Sequence, residues 1–247
     1  MKNQTVKIIS IAVILSASIS FAQMKSQVGW MSKFGVAGGL TASWMFPNYD
    51  EINKQLPNFG ITEKLSGGLL TWGGSGYIYL MIVDDVRIGG MGFGGTQSVF
   101  SNSNGFNREV KYGIGGGAFT VEYTLPFIKR IGVSLGAMIG GGKLTVEQYK
   151  NNDSFSWQGT WDEFGGNNET TNISRRMENN YFTLTPTINI GIPLTRFFAI
   201  RVGSGYQFTM SESWTIENDK VLNNVPSSVN GDAFFIQTGI YLGFFAY

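Results

Sequence analysis

The sequence predicts an all-β chain, an eight-stranded antiparallel up-and-down transmembrane β-barrel over residues 33–247. Three observations predict it. Period-two alternation of apolar with small or polar residues runs through eight segments, each longer than the 9–11 or so residues a tilted strand needs to cross a bilayer. The connections between the segments alternate long and short. An export signal precedes them.

The export signal occupies residues 1–22. Lys2 and Lys7 form a positive n-region, Ile8 to Ile19 an apolar h-region, and Ser20-Phe21-Ala22 a small-x-small cleavage site. The apolar core, about 12 residues, is too short to span a membrane. Cleavage before Gln23 leaves 16 basic and 17 acidic residues. Residues 23–32 then read as an N-terminal periplasmic segment, and 33–247 as the barrel.

The predicted strands run near Lys33–Phe46, Ser66–Val83, Val86–Phe100, Arg108–Leu125, Arg130–Tyr149, Asn180–Ile192, Phe197–Ser211 and Asp232–Tyr247. In the first, Phe34, Val36, Leu40, Trp44 and Phe46 share one face, opposite Gly35, Ala37, Gly39, Thr41 and Ser43. In the seventh, Phe198, Ile200, Val202, Tyr206, Phe208 and Met210 oppose Ala199, Arg201, Gly203, Gly205, Gln207 and Thr209. One face suits lipid and the other a polar lumen. Alternation alone also fits a soluble sandwich, so the connections decide. Asp84-Asp85, Pro126–Lys129 and Pro193–Arg196 are short; Pro47–Leu65, Ser101–Asn107, Lys150–Asn179 and Glu212–Gly231 are longer. Short periplasmic turns and longer outside loops belong to an outer-membrane barrel. Two aromatic girdles are expected: Trp44, Phe46, Trp72, Tyr149 and Trp214 on the loop side, and Phe34, Tyr79, Tyr123, Phe127 and Phe198 on the turn side.

More than half of the 34 glycines lie between Gly67 and Gly142. No Walker pattern accompanies them, which removes the phosphate-loop reading. They are expected to line the lumen and make room for larger side chains, among which Arg201, Gln207, Gln237 and Tyr241 point inward by parity. Arg87 and Glu122 also point inward and fall opposite each other across strands three and four. An ion pair is expected there, with a structural role, because an unpaired buried charge is costly.

The chain ends Gln237-Thr238-Gly239-Ile240-Tyr241-Leu242-Gly243-Phe244-Phe245-Ala246-Tyr247. A polar Gln237, Gly239 two residues on, then Leu242 and Phe244, with the aromatic Tyr247 last, resembles the signal by which bacterial outer-membrane barrels are recognised for assembly. The mature chain is similar to the small outer-membrane barrels of the OmpA-barrel, OmpX and OmpW type. That resemblance implies the outer membrane of a Gram-negative bacterium as location, and outer-membrane lipid and the barrel assembly machinery as partners.

The outside loops are where specific binding is expected. An Asn cap at Asn48 with Glu51 three residues later, then Ile52 and Leu56, predicts a short helix. The longest loop carries Trp157, Trp161, Asp162, Glu163 and Phe164, an aromatic and acidic cluster suited to an extracellular ligand or protein. Other classes fall away. Cysteine and histidine are both absent, which removes disulfides, thiol chemistry, the commonest general base and the commonest metal ligand. No cofactor or metal site is expected. The near-zero net charge has no basic block, so nucleic acid is not an expected partner. The known lipid-modifying and protease barrels use histidine in their sites and this chain has none, so no enzyme is expected. A lipocalin-like carrier is disfavoured because Gly29-Trp30 lacks the residue that family places between Gly and Trp. The sequence thus predicts a non-enzymatic outer-membrane barrel, structural or surface-binding through its loops. The alternative is a narrow, porin-like passage for small or hydrophobic molecules, as OmpW-type barrels suggest.

Overall fold

The computed structural model describes residues 34–80, 82–126, 128, 131–152, 155–165 and 172–246. The export segment 1–22, segment 23–32, Lys33, Phe127 and Tyr247 lie outside them. The strands are β1 (Phe34–Pro47), β2 (Leu69–Tyr79), β3 (Val86–Ser103), β4 (Phe106–Thr124), β5 (Gly132–Asn151), β6 (Ile173–Pro193), β7 (Phe198–Ser211), β8 (Thr215–Ile216), β9 (Lys220–Val221) and β10 (Ala233–Ala246). β1 to β7 and β10 each pair antiparallel with their chain neighbours, and β1 pairs with β10 to close an eight-stranded barrel. β8 and β9 form a small hairpin that extends the top of β6.

Strand parity sorts the side chains. On β1, Val36 and Leu40 are exposed while Ala37, Thr41 and Ser43 are buried. On β10, Ile236, Ile240 and Leu242 face out and Phe235, Gln237 and Tyr241 face in. The outer wall is therefore an apolar belt and the inner wall a packed interior, as a lipid surround requires. On β5 the belt ends upward where Ile139 and Gly141 give way to Lys143. There an outward network of ion pairs links Lys143 to Glu178 (2.7 Å), Glu178 to Arg176 (2.7 Å) and Arg176 to Glu147 (3.5 Å).

Three expectations about the connections change. β2 stops at Tyr79 instead of continuing to Val83. The apolar Ile82 and Val83 mimic strand residues but lie exposed in the turn, which ends at Asp85 with φ 62°. The connection expected over Ser101–Asn107 is instead a hairpin tip at Asn104-Gly105, with φ 54° and 74°. Asn-Gly is the preferred pair for such a turn, because both central residues need positive φ. The strands therefore pair all the way to Ser103 and Phe106, and the long–short alternation fails at this connection. The third change is at β6, which begins at Ile173 and pairs with β5 up to Lys150, so the longest loop shrinks. β3 to β6 consequently rise as a sheet well past the top of β2, whose last pair with β3 is Trp72 with Gly94.

The aromatic girdles also change. Trp44, Phe46, Trp72 and Tyr123 are exposed on the outer wall, but Tyr79 and Trp214 are buried inside. Tyr79 lies at an odd, inward position of β2. Trp214 packs into the barrel mouth.

The glycines divide between both faces. Inward ones do seat large side chains. A Cβ on Gly142 would overlap the Tyr181 hydroxyl, one on Gly136 would meet the Glu122 side chain at 2.5 Å, and one on Gly205 the Phe235 ring at 2.8 Å. Gly74, Gly76, Gly90, Gly92, Gly94 and Gly117, however, share the parity of the lipid-facing residues. A Cβ there meets only neighbouring backbone, at 3.2 to 3.8 Å. The expectation that glycine lines the lumen is thus half corrected, since β2 to β4 carry a side-chain-poor patch on the membrane face. Gly142→Ala is expected to destabilise the barrel by about 1–3 kcal/mol through overpacking. Gly92→Ala, with its nearest contact at 3.7 Å, should change stability by less than about 0.5 kcal/mol. Urea titrations of the two variants in lipid vesicles would compare them; equal losses would contradict the facing of these two glycines.

The upper interior is apolar. The first outside loop forms α1 (Asp50–Gln55) and a 3-10 turn (Pro57–Phe59). Helix α1 starts with Tyr49 as its cap, and the Asn48 carboxamide accepts the Asp50 N–H (2.9 Å). Gly60, at φ 81°, then reverses the chain. Its N–H reaches the Pro57 carbonyl (3.0 Å) while the Ile61 N–H reaches that of Leu56 (2.9 Å), the paired bonds of a Schellman motif. The reversal sends Ile61 and Leu65 back into the barrel mouth. There Ile52, Leu56, Ile61 and Leu65 pack with Leu69, Val99, Tyr112, Leu144, Tyr181 and Phe235 of the wall, and Trp214 joins from the last loop. Asn53 clasps Leu65 by both its amide groups (2.9 Å each), Tyr49 donates to Gln97 (2.9 Å), and Gln97 donates to the Ser66 carbonyl (2.9 Å). Burial pushes the Tyr49 phenol above its ordinary pKa, so it remains a donor through the neutral range.

Candidate functional site

Two places carry the polar and exposed groups that a function would use: the lower lumen, near the turn side, and the outside end. The lower lumen is built by parity and register. β3 and β4 place Arg87 opposite Glu122, and both side chains are about 95% buried. The Arg87 Nη2 lies 2.5 Å from Glu122 Oε2, its Nε donates to the same oxygen (2.7 Å), and its Nη2 also donates to Ser134 on β5 (2.6 Å). Ser134 in turn donates to Glu122 (3.1 Å). From across the lumen, Arg201 on β7 donates to the other carboxylate oxygen, Oε1. One carboxylate is therefore shared by two guanidiniums. The Tyr77 ring lies beside both, 4.8 Å from the Arg87 carbon and 5.8 Å from that of Arg201, where its π face offsets part of the excess positive charge.

The other inward polar residues sit around this cluster. Gln237 donates to Asn189 (2.9 Å), and Asn189 to Thr187 (3.3 Å). Tyr241 and Ser75 share a hydrogen bond of 2.5 Å. Gln207 lies higher, donating to the Gly231 carbonyl (2.8 Å) below the last loop. The structure thus gathers Arg87, Glu122, Arg201, Gln237 and Tyr241 in one layer and leaves Gln207 apart. Sequence reasoning missed Ser134, Asn189 and the sharing of Glu122. The first two were legible as polar residues at inward parity; the third was not, because parity says nothing about which wall faces which.

Among the terminal-strand residues, Gln237 points into the lumen, Gly239 lies under the Tyr241 ring, and Leu242 and Phe244 face the lipid side.

At the outside end, α2 (Trp157–Gly165) presents Trp157 and Trp161, 80% and 62% exposed, with ring centroids 5.8 Å apart. They are neighbours because residues four apart share a helix face. Asp162 is exposed and accepts from Gln158 (3.0 Å). Glu163 lies on the same helix. Phe155, just before it, is 64% exposed.

A closed eight-stranded antiparallel barrel with an apolar outer belt, a filled interior and an elaborated outside end has the architecture of a small transmembrane β-barrel. No family model matches the chain, and no curated protein matches it. Solved structures similar to it include a major outer membrane protein from Thermus thermophilus, 7% identical with a TM-score of 0.48, over 85% of this chain and 99% of that one. The attachment invasion locus protein Ail of Yersinia pestis, solved with the heparin analogue sucrose octasulfate, is 12% identical with a TM-score of 0.37, over 87% and 99%. CarO of Acinetobacter baumannii is 11% identical with a TM-score of 0.36, over 84% and 96%.

Proposed function

We propose that this chain is a non-enzymatic outer-membrane barrel that does not conduct and that binds at the cell surface through its outside loops. The observation that supports this reading is the double filling of the interior. The apolar mouth is occupied by Ile52, Leu56, Ile61 and Leu65 of the first loop. The lower lumen is occupied by the Arg87–Glu122–Arg201 layer, beside which a cavity of only about 20 Å³ lies. A solute needs a continuous path, and an eight-stranded wall leaves little space beyond its own side chains. This filling favours the closed reading over the alternative of a narrow passage. In this reading residues 1–22 direct export, and Gln237, Gly239, Leu242, Phe244 and Tyr247 serve recognition by the barrel assembly machinery.

The binding surface we assign to α2. Its tryptophan pair offers a large aromatic face at low conformational cost, and the exposed Asp162 of the same helix supplies an acceptor for hydroxyl or basic groups of an extracellular ligand or protein. In planar bilayers the purified protein should give no single-channel events; reproducible unitary steps would sink the non-conducting reading. Cells displaying the Trp157→Ala/Trp161→Ala double variant should attach to the partner surface at least about tenfold more weakly than wild type, with unchanged heat-modifiable mobility. Unaltered attachment would move the binding surface to another loop.

A further inference from the structure

We infer that the lower lumen is built around one bound water molecule, held between the Arg201 Nε–H and the Gln237 Oε1. Both residues are 8% exposed, and both line the cavity of about 20 Å³ together with Glu122, Tyr241, Asn189 and Thr120. Each has one half of its polar group engaged. The Arg201 Nη2 donates to Glu122, and the Gln237 Nε2 donates to Asn189. The other halves, the Arg201 Nε and the Gln237 Oε1, meet no protein partner among the described residues. Leaving a buried polar atom unsatisfied is costly, more so when it is charged. A bare donor and a bare acceptor on two residues that line one small cavity specify an occupant.

Size and chemistry select that occupant. A water needs a cavity of about 10–15 Å³, with two to four polar partners. A cation would stand beside two guanidiniums. An anion would satisfy Arg201 but would press against the Gln237 carbonyl oxygen and the Glu122 carboxylate. An apolar group would satisfy neither open valence. Water accepts from the Arg201 Nε–H and donates to the Gln237 Oε1. In doing so it joins two networks, Arg87–Ser134–Glu122–Arg201 and Gln237–Asn189–Thr187, into one hydrogen-bonded layer. That layer braces β3, β4, β5, β7, β10 and β6 across the lumen. The dry mouth above it closes the outside route to exchange.

A crystal structure of the wild-type protein in detergent, at a resolution that shows ordered water, tests this. One density peak is expected within about 2.7–3.2 Å of both the Arg201 Nε and the Gln237 Oε1, with no anomalous signal there after a bromide soak. A cavity without density, a side chain filling it, or a bromide peak at that place would overturn the inference. In Gln237→Met, refolded into detergent to bypass cellular assembly, the peak should be lost; its persistence would overturn the bridging role. If that variant does not fold, the wild-type map decides alone.

Discussion

Glu122→Gln lowers the stability of the barrel by about 3–5 kcal/mol, the expected cost of removing one partner from a buried ion pair and leaving its charge uncompensated. Here the loss is at the upper end of that range, because the carboxylate serves two guanidiniums. The glutamine keeps the shape but leaves Arg87 and Arg201 facing each other in a lumen with little solvent. Arg201→Met is expected to cost less than half as much, since Arg87 and Glu122 remain as a one-to-one pair with Ser134 bonded to both. Unfolding in urea from phospholipid vesicles, with the folded fraction read by heat-modifiable mobility, measures both. If Glu122→Gln costs no more than Arg201→Met, the carboxylate is not the shared anchor.

Leu65→Asp releases the first loop from the barrel mouth without unfolding the barrel. Leu65 is 1% exposed, and Ile61, which enters with it, is fully buried. A carboxylate at that place costs several kcal/mol unless the loop leaves. Trypsin cleavage at Lys54 and Lys64 reports the released state, because a protease needs a locally opened chain. Cleavage in the variant should be about a hundredfold faster than in wild type, which corresponds to about 2.7 kcal/mol of docking energy. Ile82→Asp, at a turn residue 96% exposed, serves as the control and should change nothing. Bilayers containing Leu65→Asp should stay silent, because the Arg87–Glu122–Arg201 layer still fills the lower lumen; conductance steps in this variant would show that the loop is the sole seal.

Much of this could be read from the residues in order. The inward positions of Arg87, Glu122, Arg201, Gln207, Gln237 and Tyr241 follow from period two alone. The pairing of Arg87 with Glu122 follows from register across one connection, which is a local property. Asn104-Gly105 carried a hairpin signal that an assumption of loop alternation hid. The outward facing of Gly90, Gly92 and Gly94 was also legible, since they keep step with Ile88. Ile82 and Val83 misled because β-branched side chains look the same in a turn as in a strand.

What the sequence by itself determined is therefore the strand count, the two faces of each strand and the contacts between neighbours, because a pleated strand with one lipid face leaves no choice of parity. What only the tertiary structure decided is everything that crosses the lumen or enters it. Arg201 meets Glu122 because closure of the barrel brings β7 within reach of β4, and the radius and stagger that set that distance are properties of all eight strands together. The first loop is a plug because Gly60 turns Ile61 and Leu65 toward an apolar mouth that exists only once β3 to β7 have assembled around it. An apolar residue in a loop says that it will be covered; which surface covers it is decided by the closed wall.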